Sequence, residues 1–172
     1  MVLIRNYRLE EEGGLFCVIA METSHCPICQ GMLYKRGTRQ RGVSKNEEDK
    51  HILLIRRLYC ERCKCIHHEL PDCVVPYKRY GTEVIEKIVT DDAQSKVHAE
   101  LTSCSDGTKR RILGWWAAVM YYFFSVLQTL SQRFKVSFNN PPTFKEIVRA
   151  VTNSNNWIFS SQVCTRSESR PK

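Results

Sequence analysis

Apolar residues change their spacing near Pro76. Before it, short runs separated by turn formers read as strands: Leu15–Ala20, Gly31–Tyr34, His51–Tyr59 and Ile66–Leu70, the last stopped by Pro71. The polar, glycine-bearing stretch Lys35–Lys50 reads as a loop or the tip of a long hairpin. After Pro76 the period becomes helical. Val84, Ile85, Ile88 and Val89 share one face, and Val97 and Leu101 suggest a second, short helix. Ser105 or Asp106 can cap a third, because a side-chain oxygen there accepts from the free amides of the first turn. That helix runs through Trp115 and Trp116 to about Arg133, and Pro141-Pro142 closes the region. Thr143 can cap a last short helix carrying Phe144, Ile147, Val148 and Val151. The organisation expected is residues 1–75, residues 76–160 and a polar tail over 161–172. There is no internal repeat.

The strand-rich half carries paired cysteines. Cys26-x-x-Cys29 and Cys60-x-x-Cys63 are separated by strand, loop and strand. A two-residue gap lets both sulfurs of a pair reach one ion, and a hairpin brings the pairs opposite one another. Four thiolates complete a tetrahedron, so the expected cofactor is one structural Zn2+ ion with no open position for catalysis. A redox pair would sit at a helix N-terminus, and neither pair precedes a convincing helix. Cys65, His25 and His67 are near enough in sequence to substitute as ligands, and with His68 they are left outside the site. Cys17, Cys73, Cys104 and Cys164 read as buried or idle thiols. The first twenty residues carry Glu10–Glu12 and lack the basic flank and apolar run of a secretory leader, so reduced thiols and a cytoplasmic location are expected. The fold class expected is α+β: a small N-terminal zinc ribbon followed by an all-α, helix-turn-helix-like domain.

Charge adds a partner. Lys and Arg number 26 against 18 Asp and Glu, a net charge of +8. Most of the excess lies between Gly31 and Lys64, where ten cations, Lys35, Arg36, Arg39, Arg41, Arg56 and Arg57 among them, face four acids. A cationic hairpin on a rigid platform suits a phosphate backbone, and such contacts dominate nucleic-acid affinity. In the helical half, Thr108, Lys109, Arg110 and Arg111 open the third predicted helix, where a recognition helix would meet the major groove, with Ile112, Trp115, Trp116 and Val119 turned to the core. Ile112–Gln132 contains no charged residue and is long enough to span a bilayer. Its internal Trp115, Trp116, Tyr121 and Tyr122, and its Ser125, Gln128 and Ser131, argue for a centrally buried helix and no membrane partner.

The block Cys26-Pro27-Ile28-Cys29, Arg56-Arg57-Leu58-Tyr59-Cys60-Glu61-Arg62-Cys63, His67-His68-Glu69-Leu70-Pro71-Asp72 and Pro76-Tyr77-Lys78-Arg79-Tyr80, with Thr108–Arg111 before Trp115 or Trp116, resembles a bacterial family of unknown function. Its members look like a zinc ribbon joined to a transposase-type helix-turn-helix and tend to lie beside transposon genes. The resemblance implies a four-cysteine zinc site and binding to double-stranded DNA. The expected function is therefore a sequence-preferring DNA-binding accessory or regulatory protein of a mobile element, nucleoid-associated, with a transposase or integrase as a further partner. The alternative is a zinc-scaffolded protein-interaction module docking through Tyr121, Tyr122, Phe123 and Phe124. An enzyme is not expected, because Asp72, Asp91, Asp92 and Glu146 fall in different segments and form no evident two-metal carboxylate cluster.

Overall fold

Six strands and three helices follow one another in a computed structural model that describes residues 1–44, 49–91 and 104–157. The strands are β1 (Val2–Ile4), β2 (Tyr7–Glu12), β3 (Leu15–Ala20), β4 (Leu33–Ser44), β5 (Lys50–Cys60) and β6 (Cys65–Pro71). The helices are α1 (Thr82–Asp91), α2 (Asp106–Phe134) and α3 (Phe144–Asn153). The expected helix around Val97 and Leu101 lies outside the described residues.

The strands form one mixed, curled sheet in the order β1-β6-β5-β3-β2, with β4 also on β5. β4 pairs antiparallel with β5 from Leu33↔Cys60 to Ser44↔Lys50, which occupies one edge of β5 throughout. The other edge is shared. β3 takes it in parallel at Leu53 and Leu54, and β6 takes it antiparallel from Arg57 to Cys60. Beyond His68, β6 turns to pair in parallel with β1 over Glu69–Pro71. β2 and β3 form a hairpin through Gly13-Gly14, both at positive φ as a tight two-residue turn requires.

The helices cover the sheet. Ile85 and Ile88 of α1, Ile112 of α2, and Phe144 and Val148 of α3 share one buried cluster with Leu3, Ile4, Val18, Leu53, Ile55 and Leu70. Val119, Phe123, Val126 and Leu127 of α2 form a second cluster with Ile147 and Val151 of α3. The expectation of an all-α, helix-turn-helix-like C-terminal domain is thereby corrected. The faces that would have closed a trihelical core are spent on strands, and α2 is a 29-residue helix lying along α3. The short ribbon is likewise overtaken by a six-stranded sheet. Lys35–Ser44 is strand because every backbone position but one is laddered to β5, whatever its polar side chains prefer.

α2 is long and apolar enough to cross a bilayer by length and composition, which for a single helix carries little weight. The expected central burial is also corrected. Ile112, Val119, Phe123, Val126 and Leu127 are buried, whereas Ala117, Ala118, Tyr121, Phe124, Ser125 and Gln128 are exposed. Ser125 and Thr129 return their hydroxyls to carbonyls of the preceding turn.

Thr143 caps α3 as expected. Its hydroxyl accepts from the Glu146 amide at 3.2 Å, while the Glu146 carboxylate accepts from the Thr143 amide at 2.8 Å. That backbone bond is the main reason the Glu146 carboxyl titrates below its ordinary value. Thr143→Ala is expected to cost about 1 kcal/mol in urea unfolding. Because the folded-state pKa is depressed, Glu146 contributes fully above pH about 4.3 and loses its contribution as pH falls through the depressed value. The stability gap between wild type and Glu146→Gln should therefore close on acidification, and a gap that stays constant with pH would assign the effect to packing.

Candidate metal centre

Two similar knuckles meet at one end of the sheet. In the first, the Cys26 amide donates to the Gly31 carbonyl at 2.9 Å and the Gln30 amide to the Cys26 carbonyl at 2.8 Å. The second is the β5–β6 turn, in which Cys60 pairs with Cys65 across the ladder. Each knuckle turns through a left-handed residue just after its second cysteine, Gln30 at φ 58° and Lys64 at φ 56°. Gly31 lets them close: a Cβ there would stand 3.0 Å from Arg62 Cδ and 3.3 Å from Cys29 Sγ.

The sulfurs of Cys26, Cys29, Cys60 and Cys63 lie within 4.8 Å of one another and could hold a metal ion. Cys29 and Cys60 are 3.5 Å apart and Cys26 and Cys63 3.9 Å, well beyond a disulfide bond. Cys26 and Cys60 are buried, and Cys29 and Cys63 are half-buried. Burial pushes the Cys26 thiol up, and hydrogen bonding, chiefly with Cys29, pushes Cys63 up to about 12. Bonds from Cys63, then from the Gly31 backbone, bring Cys29 down to about 7. Four thiolates at this spacing repel one another, and a bound cation would offset that repulsion while releasing protons.

The remaining candidates are distributed as follows. His67 is buried, its pKa lowered mainly by desolvation, and its Nε2 lies 3.4 Å from Cys26 Sγ, outside the four sulfurs. Cys65 donates to the Cys63 carbonyl at 3.2 Å. His25 makes a single bridge with Met32. Lys35, Arg36, Arg39 and Arg41 stand on β4, Arg56 and Arg57 on β5, and Thr108, Lys109, Arg110 and Arg111 on the first two turns of α2. Arg56 points to the face opposite Arg57 and grips the fully buried Glu69 with both ends of its fork, Nη2 to Oε1 at 2.7 Å. The Ser24 hydroxyl donates to the same carboxylate at 2.6 Å, tying the segment before the first knuckle to β6. This network was not anticipated from sequence. Alternation with Ile66 and Leu70 places Glu69 on the polar side of β6 with His67, so the strand pattern does not mark it as buried.

The first knuckle also opens the stretch that matches a known family. Residues 26–112, half of the chain, match a domain of unknown function, DUF6431. The chain belongs to the DUF6431 family. The DUF6431 match begins at the first cysteine and ends at Ile112, taking in both knuckles, β4 to β6, α1 and the opening of α2. No curated protein and no solved structure matches the chain.

Two outcomes test this site. Protein purified without chelator should retain about one metal ion per chain, and Cys60→Ser should lose it. Arg56→Met, which leaves Glu69 buried without its partner, should destabilise the fold by about 3 kcal/mol. Unchanged stability would mean the pair is dispensable.

Proposed function

We propose that this DUF6431 protein is a zinc-stabilised DNA-binding protein, acting as an accessory or regulatory factor of a mobile element. Zinc suits the cage. Sulfurs at about 2.3 Å in a tetrahedron stand about 3.8 Å apart, and the spacings of 3.5 Å and 3.9 Å bracket that value. With all four positions thiolate, the ion's role is to fasten the knuckles, and the role of the chain is binding, in the cytoplasm beside the nucleoid. A transposase or integrase is the partner protein this role implies.

The observation that carries DNA binding is a cluster of arginines on one open stretch of sheet. Arg57 pairs with His68, and Arg39 pairs with Ile55 two residues before Arg57, so Arg39, Arg57 and His68 project from one side of the sheet; burial, then Arg39 and Arg57, lower the His68 pKa. Arg36 and Arg39 are exposed. Arg41 is half-buried, with Nη2 donating to the Lys78 carbonyl at 2.6 Å. Such a group of fixed cations grips phosphates. The helix-turn-helix route is set aside, because α2 is packed as part of the sheet's cover. Thr108–Arg111 is a second basic stretch, on the opening turns of α2.

A protein-interaction role has one observation in its favour: Tyr121 and Phe124 stand exposed on the uncharged side of α2, although Phe123 is wholly buried. Titrating zinc-loaded protein into labelled DNA at several salt concentrations separates the two. Affinity should fall steeply with salt, and Arg36→Ala and Arg39→Ala should each reduce the slope of log K against log salt by about 1. No binding at low salt would move the assignment to the interaction module.

A further inference from the structure

The arginine cluster has aromatic neighbours in register. Across β4, β5 and β6, Tyr34 pairs with Tyr59, and Tyr59 with Ile66. The adjacent row is Gly37, Arg57 and His68. Directly paired residues project from the same side of a sheet, and so do residues two apart along a strand. Tyr34, Tyr59, Ile66, Arg57 and His68 therefore share one face. Arg39, opposite Ile55, continues it. Arg36 is the extra residue of a bulge between Lys35 and Gly37, and its guanidinium lies 5.5 Å from the centre of the Tyr59 ring.

Along β5 this face divides in two. Leu53 and Ile55 are buried beneath the helices, while Arg57 and Tyr59 are only half-buried. Tyr34 is 53% exposed and Ile66 47%. The bare end thus shows a flat ring, a second ring flanked by a guanidinium, and an aliphatic surface, bordered by arginines with no acid in either row. Phosphates alone would need only the arginines. Exposed rings beside cations on a sheet suit unstacked bases, whose π-faces a duplex hides within its own stack.

Building on the DNA-binding reading, we propose that this face holds single-stranded DNA, with bases stacked on the exposed Tyr34 ring and on the guanidinium that Arg36 holds over Tyr59, and the backbone tracked by Arg39 and Arg57. The chemistry recognised is a planar base on a polyanionic strand, and it is largely indifferent to sequence.

The test uses full-length, zinc-loaded protein and four labelled probes at one salt concentration: a 20-nucleotide thymine strand, a mixed-sequence strand, the duplex of that mixed sequence, and an abasic strand of equal length. Both base-bearing strands should bind at least about tenfold more tightly than the duplex and the abasic strand. Tyr34→Ala, at an exposed position, should weaken strand binding about tenfold and leave duplex binding unchanged. Tyr121→Ala on α2 should change neither. Equal or tighter binding of the duplex, equal binding of the abasic strand, or no effect of Tyr34→Ala in protein that remains folded and zinc-loaded would overturn the stacking face while leaving DNA binding intact. No binding to any probe would overturn both.

Discussion

A strand has two edges, and β5 has three neighbours. That constraint shapes the rest. With β4 along one whole edge, β3 and β6 must divide the other between Leu54 and Arg57. The half beside β3 is roofed by helices and buries Leu53 and Ile55. The half beside β6 lies beyond that roof, keeps Arg57 and Tyr59 accessible and ends in Cys60. Core, basic aromatic face and cysteine knuckle thus follow one another on a single eleven-residue strand. Its two faces also differ. Arg56 turns to a buried carboxylate while Arg57 turns to the open sheet, so two adjacent arginines of identical chemistry have unrelated roles.

The four cysteines were legible because a metal knuckle is local. Two cysteines at a fixed gap announce it without any knowledge of the fold, and the structure brings all four together. The helices were legible for the same reason: Thr143 and Glu146 are three apart, and the apolar faces of α1 and α3 repeat within ten residues. Long-range pairing was not. β1 is three residues whose partner lies near position 70, and no local pattern connects Leu3 to Leu70. β2 is exposed at nearly every position and is held as a strand by its ladder to β3, although Gly13-Gly14 was a usable hairpin signal. The helical half was misread because periodicity shows that a helix has an apolar face without showing what covers it. Ile85 and Phe144 meet strands, and nothing in their spacing distinguishes that from meeting helices.

The basic hairpin was legible as charge and not as geometry. Composition located the cations between Gly31 and Lys64. It could not say that Arg56 is committed to Glu69, that Arg41 leans on the Lys78 carbonyl, or that Tyr34 and Tyr59 stand side by side. Those relations require the register of β4 on β5, which the single extra residue at Arg36 displaces by one.

That extra residue bears on solubility. Among the described residues, the outer edge of β4 pairs only at Ser44, in a single bridge to Tyr80. The rest of that edge, Leu33 to Val43, is a template on which another chain's strand can add. Lys35, Arg36, Arg39 and Arg41 guard it by repulsion, a guard that any bound polyanion would weaken. The bulge interrupts the donor and acceptor rhythm of the edge by shape alone. That local disruption at Arg36 does not depend on charge.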